Sequence, residues 1–315
     1  MRVALKLREE WLSVPKSIAF GIYALSAYYR ASGDSVALDM AEELLSLIEQ
    51  KCTDPDGYGE AYTRDFCPVS NEKLSENGVI AERTMNTLLH IIEACTGLLE
   101  AEKMAGRTKE QTAGCLKRAL LLFADHVYDP SLHRDLVFFD RSYHSLIDLY
   151  SFGHDIEAGW LIDRALDVLG DPELDVRIRP ITLKITEEVI CKAFDGHSMA
   201  EECECGKMKE RRVWWVQAEC LTGLLNMAER VENSRTPRWG FDRTTCLDFA
   251  WNEWTFIRDH VCDNRPDSEW FENVEPDGSV TEKAAIVQPW KCPYHNGRMC
   301  IEALRRLKRI TIDDI

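Results

Sequence analysis

Two histidines in this sequence sit in settings suited to moving a proton. His154 lies at the start of a helical pattern in Gly153-His-Asp-Ile-Glu-Ala-Gly-Trp160. At about 100° per residue, His154, Glu157 and Trp160 share one face. A carboxylate one turn from an imidazole orients it and favours its protonated form, which suits proton transfer near neutral pH. The competing reading makes His154 a helix cap and Trp160 plain core. His295 lies in Trp290-Lys-Cys-Pro-Tyr-His-Asn296. There Pro293 fixes the backbone of an expected loop that carries Tyr294, His295 and Asn296, with a helix resuming near Arg298.

Tryptophan is unevenly distributed: eight of the nine lie after residue 150, mostly beside charged or polar neighbours. Trp214 and Trp215 precede Gln217 and Glu219, with Trp215 and Glu219 on one helical stripe. Burying such groups is costly unless they have partners, and an interface helix with a paired Glu219 is the alternative. Further clusters are Trp251-Asn-Glu-Trp254, Glu269-Trp-Phe271 and the Trp290 run. A pyranose offers flat C–H faces and a rim of hydroxyls, which indoles can stack on and Asp, Glu, Asn and His can hydrogen-bond. Asn86 and His90, with Glu93 further on, form another polar stripe in an apolar helix. It lines either a polar cavity or a satisfied core.

The elements that must position these residues are helical. Apolar residues recur at three-to-four spacing over 18–30, 35–50, 82–104, 109–126, 155–169, 174–194, 213–231, 244–261 and 298–307, bounded by Gly, Pro, Asp or Asn. Strand signals are short, at Glu60 to Phe66 and Leu136 to Asp140, and read as small β-hairpins between helices. No linker is visible, so residues 1–315 are expected to form a single all-α domain of helical hairpins with functional loops on one side.

Composition narrows the function. The 315 residues carry 54 Asp plus Glu against 38 Lys plus Arg, a formal charge of -16. This disfavours nucleic acid and anionic membrane surfaces as partners. No run approaches the roughly eighteen apolar residues of a membrane span, and no secretory signal is visible. Twelve cysteines in such a chain read as free thiols, which places it in the reducing cytoplasm. Cys203-Glu-Cys205 has no second pair at zinc-site spacing, so no metal is expected. No Walker loop, H-E-x-x-H or G-x-S-x-G motif occurs.

The three runs 153–161, 214–219 and 290–300, in this order, resemble the N-acylglucosamine 2-epimerase superfamily, most closely its cellobiose 2-epimerases. Weaker agreement extends through Ala19 to Ser26, Asn86 to His90 and Phe138 to Asp140. The resemblance implies an (α/α)6 barrel and a cofactor-independent isomerase. Such an enzyme inverts C2 of the reducing-end glucose of cellobiose or related β-1,4 disaccharides of lactose or mannobiose type. By motif position, His154 and His295 would be the two acid/bases, Glu157 would assist ring opening, and His90 would steady the open form. Asn86, Glu219, Phe20, Trp160, Trp214, Trp215 and Trp290 would contact the sugar.

The family's catalytic Arg lies on a helix preceding the segment matched by Ile18 to Arg30, and Met1 to Lys16 does not match it. Roughly ten helical patterns, against the twelve of the barrel, predict a ring incomplete at its N-terminus. The alternatives are an N-acylglucosamine 2-epimerase, an aldose-ketose (mannose) isomerase, a glycoside hydrolase using paired carboxylates, and an inactive truncated sugar-binding copy. A monomer or homodimer is expected.

Overall fold

The computed structural model describes residues 14–72, 77–107, 110–231, 241–280, 286 and 291–313, with backbone alone for 310–313. In chain order the helices are α1 Pro15–Ser32, α2 Ser35–Lys51, α3 Met85–Ala105, α4 Glu110–Leu122, α5 Phe152–Leu169, α6 Pro172–Ala193, α7 Trp214–Val231, α8 Arg243–Phe256 and α9 Tyr294–Asp313. Both α4 and α8 run on into a single π-helical turn, Phe123–Val127 and Ile257–Val261. Among the described residues no helix is long and apolar enough to cross a membrane.

Local chemistry explains several of the helix ends. Pro15 opens α1, where its missing N–H costs nothing, and Gly33 closes it in the left-handed conformation at φ 76°. Asp34 caps α2 by accepting from the Val36 N–H. Thr84 caps α3, and Asp242 caps α8. α3 and α7 are buried on almost every side, which their near-continuous apolar sequences require. α6 contains Pro180 in its interior.

The strands are short. They are β1 Thr53–Asp54, β2 Gly57–Tyr58, β3 Arg83–Thr84, β4 Tyr128–Asp129, β5 Arg134–Asp135, β6 Phe138–Phe139, β7 Leu149–Ser151, β8 Glu202–Glu204, β9 Lys207–Lys209, β10 Arg212–Val213 and β11 Asn273–Val274. Both segments expected as small hairpins pair locally. Leu136 to Asp140 pairs on two sides: locally Phe139 bridges Ser145 and Asp140 N–H donates to His144 O at 3.1 Å, while β6 also pairs with the distant β3 in the register Arg83↔Phe139. Glu60 to Phe66 turns back on the residues that follow it: Tyr62 bridges Pro68 in antiparallel fashion, Val69 N–H donates to Ala61 O at 3.1 Å, and Thr63 N–H donates to Cys67 O at 2.8 Å. In addition, β8 and β9 of the charged loop 195–212 pair with β7 to form a three-stranded antiparallel sheet, β7-β8-β9.

The chain divides into two compact units, each assembled from three stretches. The first comprises residues 1–130, 136–148 and 161–179, and the second 131–135, 149–160 and 180–315. In the first unit Ile22, Leu38, Leu45, Leu88, Ile91 and Leu116 are buried between α1, α2, α3 and α4. In the second, α5, α7, α8 and α9 enclose a core that includes Phe152, Ile156, Val216, Leu224, Ile257 and Met299.

Candidate active site

The second unit brings His154 to Trp215 through a strand that runs directly into a helix. Ser151 ends β7, held opposite Glu202 of β8, and its hydroxyl lies 2.7 Å from His154 Nδ1. The His154 ring meets Trp215 at a centroid distance of 4.7 Å. Gly153 makes this contact possible. A Cβ there would stand 2.5 Å from Cη2 and Cζ3 of Trp215 and 2.8 Å from Val216. The glycine serves close approach of α5 to α7 rather than a turn. Gly159 acts similarly, since a Cβ there would collide with Thr186 Oγ1.

Glu219, on α7, is the hub of the site. Its side chain is 1% exposed. Trp160 Nε1 donates to its Oε2 at 2.9 Å, Arg298 donates to its Oε1 at 2.7 Å, and His295 Nδ1 lies 2.7 Å from the same Oε1. Burial alone would push this carboxyl up. The Arg298 charge and the hydrogen bonds from His295 and Arg298 outweigh it and hold the group down at about 2. Glu219 is thus an ionised carboxylate with three partners inside the fold.

These contacts revise the sequence expectation for the indoles. Trp160, expected as a stacking surface, is 0% exposed, and its N–H is committed to Glu219. Arg298 lies over its ring at 4.9 Å. Trp214 is buried in the core of the second unit. Trp215 alone among the described indoles meets both imidazoles, His154 at 4.7 Å and His295 at 5.4 Å. Trp290 lies outside the described residues, as do residues 1–13 of the unmatched N-terminal segment.

His295 is not on a loop. α9 begins at Tyr294, and the Pro293 carbonyl accepts the Gly297 N–H at 3.0 Å, so His295 sits in the first helical turn. Three residues on, Arg298 shares its face. Arg298 donates to Glu157, to Glu219 and to the Tyr294 hydroxyl. Sequence reasoning gave this arginine no role, although it lies inside the 290–300 run at helical spacing from His295. Glu157, Glu219 and His295 place their donor atoms within 4.8 Å of one another, a spacing that also suits a metal ion. Here the Arg298 guanidinium supplies positive charge to both carboxylates.

In the first unit, α3 carries Asn86 and His90, and α1 carries Phe20. His90 Nδ1 lies 3.1 Å from Glu93 Oε2, and the His90 ring is 4.5 Å from Phe20. The pairing with Glu93 is the feature that the i, i+3 spacing allowed.

The chemistry open to the second-unit cluster is proton transfer. With Nδ1 of His295 held by a carboxylate, Nδ1 carries the proton and Nε2 is the basic nitrogen. The carboxylate also stabilises the imidazolium that forms when Nε2 takes a proton. His154 is held at Nδ1 by a neutral hydroxyl instead. Two imidazoles with different supports therefore border one indole, beside an arginine bound to two carboxylates.

The chain is similar to known sugar epimerases. The family model for N-acylglucosamine 2-epimerase (GlcNAc 2-epimerase) matches residues 15–296. A cellobiose 2-epimerase of Eubacterium cellulosolvens is 47% identical over 298 residues, which are 91% of this chain and 71% of the relative. Among solved structures, a sugar epimerase from a ruminal bacterium superposes with a TM-score of 0.85 at 40% identity, covering 94% of this chain and 72% of that one. Cellobiose 2-epimerase from Bacillus thermoamylovorans gives 0.84 at 38% identity with the same coverage. These are α/α-barrel enzymes, and the all-α fold class expected from the sequence is theirs. With its family model matched over most of the chain and relatives this similar, the chain belongs to the N-acylglucosamine 2-epimerase family.

Proposed function

We propose that the protein is a cellobiose 2-epimerase, reversibly inverting C2 of the reducing-end glucose of cellobiose or a related β-1,4 disaccharide. The observation that carries this reading is the placement of His154 and His295 against the same indole, Trp215. The C2 proton is acidic only when C1 is an open-chain aldehyde. The reaction therefore needs ring opening, removal of the proton to give a cis-enediolate, and return of a proton to the opposite face. One imidazole removes the proton and the other returns it. Glu157 assists ring opening, and the Arg298 guanidinium holds Glu157 and Glu219 in place beside the acid/base pair. His90, Asn86 and Phe20 of the first unit are further candidates for sugar recognition by motif position, and His90→Ala is expected to lower turnover.

The alternatives within the family share the enediolate. An aldose-ketose isomerase would deliver the proton to C1, and an N-acylglucosamine 2-epimerase would act on an amido sugar. Incubation with cellobiose in D2O, followed by NMR of the H2 signal, separates them. Deuterium at C2 with a mannose-type product is expected. A fructosyl product would indicate the isomerase, released glucose a hydrolase, and an unchanged spectrum would sink the proposal. Substitution of either His154 or His295 by Ala should abolish exchange. Full activity in either variant would remove that residue from the acid/base pair.

A further inference from the structure

A second carboxylate grips the first turn of α9 from outside the site. Glu269 lies in the segment that follows the π turn of α8. That segment is fixed by the Cys262–Trp270 bridge, by Asp263 N–H donating to the Glu269 carbonyl at 2.9 Å, and by Phe271 N–H donating to Val261 O at 2.7 Å. From this anchored backbone, Glu269 Oε1 accepts from Lys291 Nζ at 2.6 Å, and Oε2 accepts from Asn296 Nδ2 at 2.7 Å. Lys291 also donates to Ile286 O at 2.8 Å, and its side chain is 0% exposed. Asn296 Oδ1 accepts the Gly297 N–H at 3.1 Å. One carboxylate thus holds both ends of the short run 291–296 that delivers His295.

We infer that Glu269 is a positioning residue for His295, acting through Asn296 and Lys291. This rests on the proposed acid/base role of His295. The residues on either side of His295 are each tied down: Tyr294 by its hydroxyl to Arg298, and Asn296 by its amide to Glu269. The imidazole itself is held by Glu219. A single helical turn therefore carries three fixed points, which sets the direction of Nε2. Burial of an ammonium needs a counter-charge for stability alone, but that need does not require the second carboxylate oxygen to bind Asn296. The arm to Asn296 is the part that bears on His295.

The test uses the full chain. In Glu269→Gln the amide accepts from Lys291 but sets a donor against the Asn296 amide, so the second arm is lost. The expected result is a fall in kcat for C2 exchange of about 10- to 100-fold with KM near that of wild type, as for a small misplacement of a catalytic group. Asn296→Ala keeps the Lys291–Glu269 pair and cuts the same arm. It should lose a similar factor, and the double variant should lose no more than the worse single.

The His295 ring C–H resonance, assigned by its loss in His295→Gln, should shift or change its titration in both variants. Wild-type kcat in folded Asn296→Ala, multiplicative losses in the double variant, or an unmoved His295 resonance would each overturn the inference. If Glu269→Gln fails to fold, Asn296→Ala decides. If wild type shows no C2 exchange, the functional reading falls, while the His295 resonance still decides whether Glu269 positions the ring.

Discussion

Arg298 joins two carboxylates that lie 141 and 79 positions away in the chain. Its partners are Glu157 and Glu219, with the Tyr294 hydroxyl alongside. A guanidinium presents several donors in a fixed fork, whereas an ammonium is a point charge on a flexible stem. Arg298→Lys should therefore leave one buried carboxylate inadequately paired. The expected loss is about 10²- to 10³-fold in kcat and about 3–5 kcal/mol of stability, read from C2 exchange rates and urea unfolding. Wild-type values in both would remove Arg298 from the site. Histidine, glutamate and tryptophan at helical spacing were legible as candidates for proton transfer on a sugar. The partnerships were not. Trp160 beside polar residues reads as a stacking surface, and only its complete burial and its bond to Glu219 reveal a core residue that orients a carboxylate.

At the scale of elements, the close approach of α5 to α7 is set by Gly153. Gly153→Ala would press a methyl group onto Trp215. An overpacking cost of about 1–3 kcal/mol is expected, together with altered near-UV circular dichroism and slower C2 exchange as Trp215 moves against His154. Gly114 on α4 is the contrast, since a Cβ there meets nothing within 4 Å. Gly114→Ala should raise stability by about 0.5–1 kcal/mol through helix propensity, measured as a higher denaturant midpoint. The long helices were legible because their apolar periodicity spans many turns. Two features were not. Pro293 reads as part of a loop, although a proline just before the first turn also suits a helix start, and α9 begins directly after it. The pairing of β3 with β6 joins residues over fifty positions apart, which no local pattern encodes.

For the molecule as a whole, two buried carboxyls pull stability in opposite directions with pH. Glu219 is held down from 4.5 to about 2, so it contributes stability above pH 4.5 that is lost as pH falls toward 2. Glu187 on α6 is pushed up from 4.5 to about 8 by burial, against the opposing charge of Lys184, and neither of its oxygens has a hydrogen-bond partner among the described residues. Its contribution is complete below pH 4.5 and is lost as pH rises through 8. Glu187→Gln should match wild type near pH 4 and melt higher at pH 8. Equal melting temperatures at pH 8 would show that Glu187 is already ionised in the fold. Sequence by itself determined the helical class, the acidic charge and the motif residues, because these depend on composition and on spacing within a few turns. Tertiary structure decided which groups meet. The Glu157–Arg298–Glu219–His295 network, the committed Trp160 and the grip of Glu269 on α9 join residues far apart in the chain. The electrostatics of each group follow from burial and neighbours that exist only once the chain has folded.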